Sequence, residues 1–391
     1  MDKLLLPFRL GKVMNTLFLA NIFISFHYVL VIYINSSFLS NFFTETQVSY
    51  LYIIGSILDA ILLLNASKIL NKIGNYKFVL YCLALELLST VGLMLGTSAF
   101  VVGISFLVHV FSISLFLYNM DIFVEAASLG EEKTSSIRGT YLTLTSTAIV
   151  IAPAIVSFIV VDNSYTYVYL LASLFLLPLY LLLKRVKKIK SENLVHIKIR
   201  ETVMAYIKNR DLYSIFICQS LLQFFYAYMV IYMPIYLSKY IGFAWSEIGI
   251  MFTIMLLPFV IFELPVGELE DFQYGEKEFL SIGLIILGLS TIFMSFITSN
   301  VFWVWTSILF ISRIGASFVE ISTESYFFKN VDKDKTDIIG FFRISRPVSF
   351  IIAPITATII LGFIQFQFIF IFIGILMILG LKYSLALKDT K

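Results

Sequence analysis

The sequence predicts an all-α membrane protein of twelve transmembrane helices arranged as two pseudo-symmetric six-helix bundles. Three observations predict it: a composition that only lipid can solvate, twelve apolar runs of membrane-spanning length, and a repeat that carries the first half of the chain onto the second. Of 391 residues, 59% are hydrophobic, 14% are charged and 39 are Phe, and the mean hydropathy is +0.93. A soluble domain carries about 25% charged residues. This chain lacks the charge to cover a water-facing surface and has no room for a large soluble domain.

The apolar runs fall at 15–39, 48–66, 77–96, 100–124, 139–161, 165–184, 212–238, 246–266, 278–297, 301–328, 338–361 and 365–386. Each approaches or exceeds the roughly 20 helical residues that cross a hydrocarbon core. Backbone polar groups cannot stay open in lipid, and the short alternating segments of a β-barrel are missing, so these runs read as helices. The first run follows basic residues but has no small-residue cleavage site, which makes it a retained span. Lys and Arg are held on the cytoplasmic side of a membrane. Of the 28 present, only Lys239 lies in the opposite loops, and Arg313, Arg343 and Arg346 fall inside spans. All others sit at the two ends and in alternate loops, which predicts cytoplasmic termini and an even number of spans. The longest loop, 184–210, contains the basic run Lys184 to Lys190. It divides the chain into an N-terminal bundle (1–183) and a C-terminal bundle (211–391), joined by a basic cytoplasmic linker with a membrane-surface helix.

Several classes of function are excluded. The net charge of +3 is spread over loops, so no nucleic-acid footprint exists. Cys82 and Cys218 lie inside apolar runs and form neither a disulfide framework nor a paired metal or redox motif. The three histidines are scattered, and no metalloprotease, hydrolase or nucleotide-binding loop motif is present. No catalytic residue, metal or cofactor is therefore expected.

The repeat is the most informative feature. A shift of 201 positions places Gly74 on Gly275, Ser89-Thr90 on Ser290-Thr291, Thr97-Ser98 on Thr298-Ser299, and Gly139 with Ile151-Ala152-Pro153 on Gly340 with Ile352-Ala353-Pro354. With a two-residue slip, Asp121 and Glu125 meet Glu320 and Glu324. Parallel six-plus-six repeats of this kind build alternating-access carriers, with the substrate held near the midplane between the halves.

The cytoplasmic loops carry a more specific signal. Between spans eight and nine runs Gly267-Glu-Leu-Glu-Asp271-Phe-Gln-Tyr-Gly275-Glu-Lys277, and between spans two and three the degenerate Ser67-Lys-Ile-Leu-Asn71-Lys72-Ile-Gly74-Asn-Tyr-Lys77. With these loops, the chain resembles the major facilitator superfamily over nearly its whole length. The first copy departs from that family's pattern in lacking the leading Gly and in having Asn71 where an Asp is usual. A tight reversal between helices needs a glycine that tolerates unusual φ/ψ. A carboxylate there can sit at a helix N-terminus, where the macrodipole favours negative charge.

Ionisable groups inside spans are costly and face a cavity or a partner. On span ten, Arg313, Ser317, Glu320 and Glu324 share one helical stripe. Arg343 and Arg346 lie three apart on span eleven, so the expected arrangement is Glu320 and Glu324 paired with both arginines as a cytoplasmic gate. Asp121, Glu125 and Arg138 are its N-terminal echo. Arg313, near the middle of its span, suits an anionic group or a salt bridge, since guanidinium offers a bidentate fork. Asp59 on span two is the favoured proton carrier. Glu86 on span three is read as a protonated residue and not a relay, because the resemblance implies that spans three, six, nine and twelve are peripheral. Histidine is the side-chain type whose charge can change near neutral pH, which makes His27 and His109 candidates for coupling or binding. The resemblance also implies that spans one, four, seven and ten line the cavity. There Gln219, Gln223 and Tyr226 with Trp305 and Ser312 offer amide and aromatic contacts to a small organic molecule, or bonds to other helices.

The reading is thus a secondary active carrier of a small organic solute, working by alternating access in the bilayer as a monomer, with protons as an available coupling ion. A multidrug-type exporter of amphipathic compounds is the alternative. Span five, however, has Ala152-Pro153-Ala where such exporters carry a Gly-Pro-x-x-Gly-Gly run. A polytopic enzyme acting on a lipid-linked substrate is the reading from another class.

Overall fold

The computed structural model describes residues 12–388 apart from 97, 129–133, 161–163, 188–198, 271–273 and 331–335. Among the described residues, eleven helices are long and apolar enough to cross a membrane. The elements, in order, are α1 (Lys12–Ile32), α2 (Asn35–Leu39), α3 (Glu45–Ile73), α4 (Asn75–Leu95), α5 (Ala99–Ser128), α6 (Thr134–Ile159) and α7 (Thr166–Val186). After these come α8 (Ile199–Lys208), α9 (Arg210–Ile235), α10 (Trp245–Leu269), α11 (Glu276–Met294), α12 (Phe302–Asn330), α13 (Thr336–Leu361), α14 (Ile369–Leu379) and α15 (Leu381–Ser384). The expected fifth span corresponds to α6. Its Leu144–Ile159 stretch is apolar.

The chain forms two compact units, Met1–Thr44 with Ile54–Val195, and Glu45–Ile53 with His196–Lys391. The first turns of α3 group with the second unit because Ser49 Oγ lies 2.8 Å from Tyr232 Oη and Tyr240 Oη donates to Glu45 Oε1 at 2.9 Å. The two units repeat one internal packing pattern. In the first, α4 packs on α5 and α7, and α1 packs on α6. In the second, α11 packs on α12 and α14, and α9 packs on α13.

The two loop glycines occupy equivalent places. Gly74 precedes α4 with φ 81°, and Gly275 precedes α11 with φ 80°. A side chain is strained in this left-handed region, so both reversals require glycine. Their amides close the preceding helices, Gly74 N donating to Leu70 O at 2.8 Å and Gly275 N to Glu270 O at 3.2 Å.

Lys184 and Arg185, expected in the linker, form the last turn of α7, where cations favour the helix C-terminus. The linker helix α8 docks on the second unit. Tyr206 is buried there, donates to Ile338 O at 2.9 Å and packs against Phe216 and Phe341.

Candidate functional site

The first unit holds a buried polar cluster around Glu86, at 0% exposure. Five helices, α1, α2, α4, α5 and α7, supply it. His27 comes from α1, with Nε2 2.6 Å from Glu86 Oε1; His109 comes from α5, with Nδ1 2.6 Å from the same oxygen. Ser112, one turn along α5, donates to Glu86 Oε2 at 2.5 Å, and Thr90 Oγ1 reaches Oε1 at 3.4 Å from Glu86's own helix. The outer nitrogens are also engaged. His27 Nδ1 lies 3.0 Å from Ala172 O on α7, and His109 Nε2 lies 3.2 Å from Asn35 Nδ2. Tyr169 Oη in turn donates to Asn35 Oδ1 at 2.8 Å. An ionised group in a lipid-embedded bundle is tolerated only when its lone pairs are met this completely.

Glu86 was expected to be a peripheral residue, yet it is the hub of this unit. His27 and His109 are not lone rings offered to a ligand; both turn onto Glu86. Ser112, Asn35 and Tyr169 were not anticipated. The signal available in the sequence was the presence of two histidines and an acid in mid-span positions of one half, since each buried charge needs a partner. His27, Glu86 and His109 are also the residue types that hold a transition metal. Their geometry does not fit one. Ligands about 2.0 to 2.2 Å from a tetrahedral ion stand more than 3 Å apart, whereas both nitrogens here approach a single oxygen at 2.6 Å.

A second polar patch joins α1 to α6. Asn21 Nδ2 donates to Tyr141 O at 2.8 Å and to Thr145 Oγ1 at 3.0 Å. Asp59 is buried on α3, and Asp121 is exposed on α5. The side chains of Glu125 and Arg138 lie outside the described residues. Asn71 and Lys72 are exposed in the last turn of α3.

In the second unit Glu320 lies within electrostatic reach of Glu324, Arg343 and Arg346, and the direct contacts of the four differ. Arg343 forms a forked pair with Glu324, Nη1 to Oε1 at 2.5 Å and Nη2 to Oε2 at 3.1 Å. Arg346 is exposed, with its guanidinium over the Phe350 ring at 6.0 Å. Glu320 accepts from Tyr226 Oη at 2.6 Å, and Gln219 Oε1 accepts from Thr323 Oγ1 at 3.0 Å. Two of the residues nominated to meet a ligand from α9 are thus spent on α12, while Gln223 is half-buried. Trp305 is fully buried and donates to Ser299 O at 2.9 Å. Arg313 is buried, lies 4.9 Å above the Phe225 ring and reaches Ser312 Oγ at 3.5 Å.

Asp271 lies outside the described residues. The neighbouring Glu270 is the buried acid of this loop and accepts from Ser322 Oγ on α12. Glu276, in the first turn of α11, pairs with Lys329 Nζ at 2.5 Å, where the helix dipole also favours the carboxylate. Gly267 sits half-buried on α10.

Two predictions arise from this unit. Arg343 and Glu324 are 48% and 25% exposed in their side chains. Arg343→Ala is therefore expected to cost less than about 1 kcal/mol in thermal unfolding, and an Arg343→Glu, Glu324→Arg exchange is expected to restore it. Tyr226→Phe removes the donor to the half-buried Glu320 carboxylate and is expected to cost about 1–3 kcal/mol. That loss should be non-additive with Glu320→Gln in a double-mutant cycle.

Eleven apolar helices of spanning length among the described residues, in two units that share one internal packing pattern, are the frame of a multi-pass membrane protein. The family model of the Major Facilitator Superfamily matches residues 16–246 and 215–389, and the chain belongs to that family. A nucleoside transporter, NupG, has a similar fold at TM-score 0.77 and 14% identity, covering 96% of this chain and 99% of its own. A POT family transporter solved with a thioalcohol-conjugated peptide is similar at TM-score 0.77 and 14% identity, covering 95% of each chain. No curated protein is significantly similar in sequence. The chain is an integral multi-pass membrane protein and a secondary transporter with a small-molecule substrate, which sets aside the reading as a polytopic enzyme.

Proposed function

We propose that this transporter moves a small polar organic solute of nucleoside or short-peptide size, coupled to protons, by rocking of its two bundles. The observation that carries the reading is the His27–Glu86–His109 cluster, an ionisable centre buried in the first unit in which one nitrogen of each ring lies 2.6 Å from a single carboxylate oxygen. The similarity of the fold to a nucleoside transporter and to a peptide-bound transporter supports the solute size. The distribution of Lys and Arg supports cytoplasmic termini. The halves on either side of residues 184–210 are the rocking units, the forked Arg343–Glu324 pair is a gate contact, and the working form is a monomer.

The test is counterflow and pH-driven uptake in proteoliposomes, using radiolabelled uridine, adenosine and dialanine. Saturable counterflow of one probe, with accumulation under an inward proton gradient that a protonophore abolishes, is the expected result. Counterflow indifferent to the gradient removes the proton coupling, and absence of counterflow for all three removes the solute class.

A further inference from the structure

The hydrogen-bond partners of the Glu86 cluster determine how many protons it holds. His27 Nδ1 faces the carbonyl oxygen of Ala172 at 3.0 Å, and a carbonyl only accepts, so Nδ1 carries a hydrogen. In a neutral ring the other nitrogen, Nε2, is then a bare lone pair. That nitrogen lies 2.6 Å from Glu86 Oε1. A bare imidazole nitrogen and a bare carboxylate oxygen repel at this distance, so one proton must lie between them, on His27 or on Glu86. On the other side, Tyr169 Oη donates to Asn35 Oδ1, which leaves Asn35 Nδ2 to donate to His109 Nε2. His109 is then neutral with its hydrogen on Nδ1, aimed at Glu86 Oε1. Ser112 donates to the second carboxylate oxygen. The fixed donors are thus accounted for, and one ionisable proton remains, in the gap between α1 and α4.

We propose that the His27–Glu86 gap is a single-proton site whose occupancy sets the distance between α1 and α4, so that loss of the proton drives these two helices apart. This rests on the proton-coupled reading above and assigns it to a locus. The chemistry balances simply: the N–H or O–H bond in the gap breaks, the proton passes to water, and a neutral imidazole and a carboxylate are left lone pair to lone pair. Remaining at 2.6 Å is then unfavourable, and α1 yields. The groups facing Glu86 are His27 on α1, Cys82 and Thr90 on its own helix, His109 and Ser112 on α5, and Tyr169 on α7 through Asn35. Its partners among the described residues include no Lys or Arg. No fixed cation therefore takes over the role of the proton when it leaves.

The test needs no solute. Histidine-selective nitrogen NMR on the full chain in detergent has three rings to assign; His196→Gln and His27→Gln identify two by subtraction. Infrared spectra of the same sample report whether a carboxyl group is protonated. The expected result at neutral pH is a His27 ring with both nitrogens protonated, or a protonated-carboxyl band that Glu86→Gln removes. Glu86→Gln should also leave His27 neutral with hydrogen on Nδ1 only, because no carboxylate then balances an imidazolium while Ala172 O still accepts from Nδ1. Raising the pH should remove one proton and lengthen a spin-label distance between the cytoplasmic ends of α1 and α4. If Glu86→Gln does not fold, the wild-type NMR and infrared readings decide alone. A neutral His27 together with no protonated carboxyl overturns the proposal, as does an unchanged spin-label distance. One equivalent of zinc raising the melting temperature of wild type but not of His27→Gln also overturns it, in favour of a metal site. If wild-type accumulation is proton-driven while neither spectroscopic signature appears, this locus fails and the proton coupling stands. If the proton is present but accumulation ignores the gradient, the coupling fails and the cluster is a static proton-bound pair.

Discussion

Replacing Glu86 by alanine is expected to lower the unfolding free energy by about 3–5 kcal/mol, the scale on which removing one member of a buried ion pair strands its partners. His27 Nε2 loses its partner, and His109 Nδ1 and Ser112 Oγ lose their acceptor, at once. No water is at hand to replace it, since His27 and Glu86 are fully buried and His109 is 3% exposed. Thermal unfolding in a mild detergent measures the loss. Replacing His27, Glu86 and His109 together by apolar residues of similar volume should recover most of the stability, because no polar group is then stranded. The same triple variant should not recover pH-driven uptake. A single-residue loss below about 1 kcal/mol would mean that the cluster is wetter than its burial indicates, and would weaken the proton bookkeeping with it.

Gly315→Val is expected to have a comparable effect for a steric reason. A Cβ at Gly315 would stand 2.5 Å from Leu287 N and 2.7 Å from Gly283 O, while one at Gly283 would stand 2.8 Å from Gly315 O. These are backbone atoms of α11 and α12, which no rotamer change can move aside. Small residues at helix crossings let backbones approach this closely, and van der Waals packing there is a main source of helix association in lipid. Overpacking a tight site costs about 1–3 kcal/mol and occasionally more. Here the upper end of that range or failure to fold is expected, read as melting temperature and yield of monodisperse protein. Gly267→Ala is the control. Its Cβ would meet only the Ile321 side chain, at 3.6 Å, and should leave stability nearly unchanged.

These two sites differ in how far they could be read from sequence. Gly74 and Gly275 were legible as turn glycines because a loop motif and a repeat both marked them, and both take a positive φ. Gly315 was visible only as a residue near Arg313. Its role depends on which face of α12 meets α11, and small residues carry no label for their partner. The acids behaved similarly. Glu324 was expected to meet an arginine of the next helix and does, by a forked contact with Arg343. Glu320, one turn away on the same stripe, lies within electrostatic reach of Arg343 and Arg346 and takes its hydrogen bond from Tyr226 on α9. The spacing placed both acids on one face, but a helix turn of about 5.4 Å is enough to bring a different neighbour opposite each.

By itself the sequence determined the solvent of this protein, the helical character of its runs, the bias of Lys and Arg between alternate loops, and the duplication. All of these are local or additive properties: hydropathy summed over a window, charge counted in a loop, a motif at a constant offset. Only the tertiary structure decided that Glu86 is a hub and not a peripheral acid, that His27 and His109 share it, and that Tyr226 and Gln219 serve α12. Such pairings depend on the rotation and depth of helices far apart in the chain. Inside lipid, a buried charge must find some partner, but which of several polar side chains at its depth becomes that partner is settled by packing.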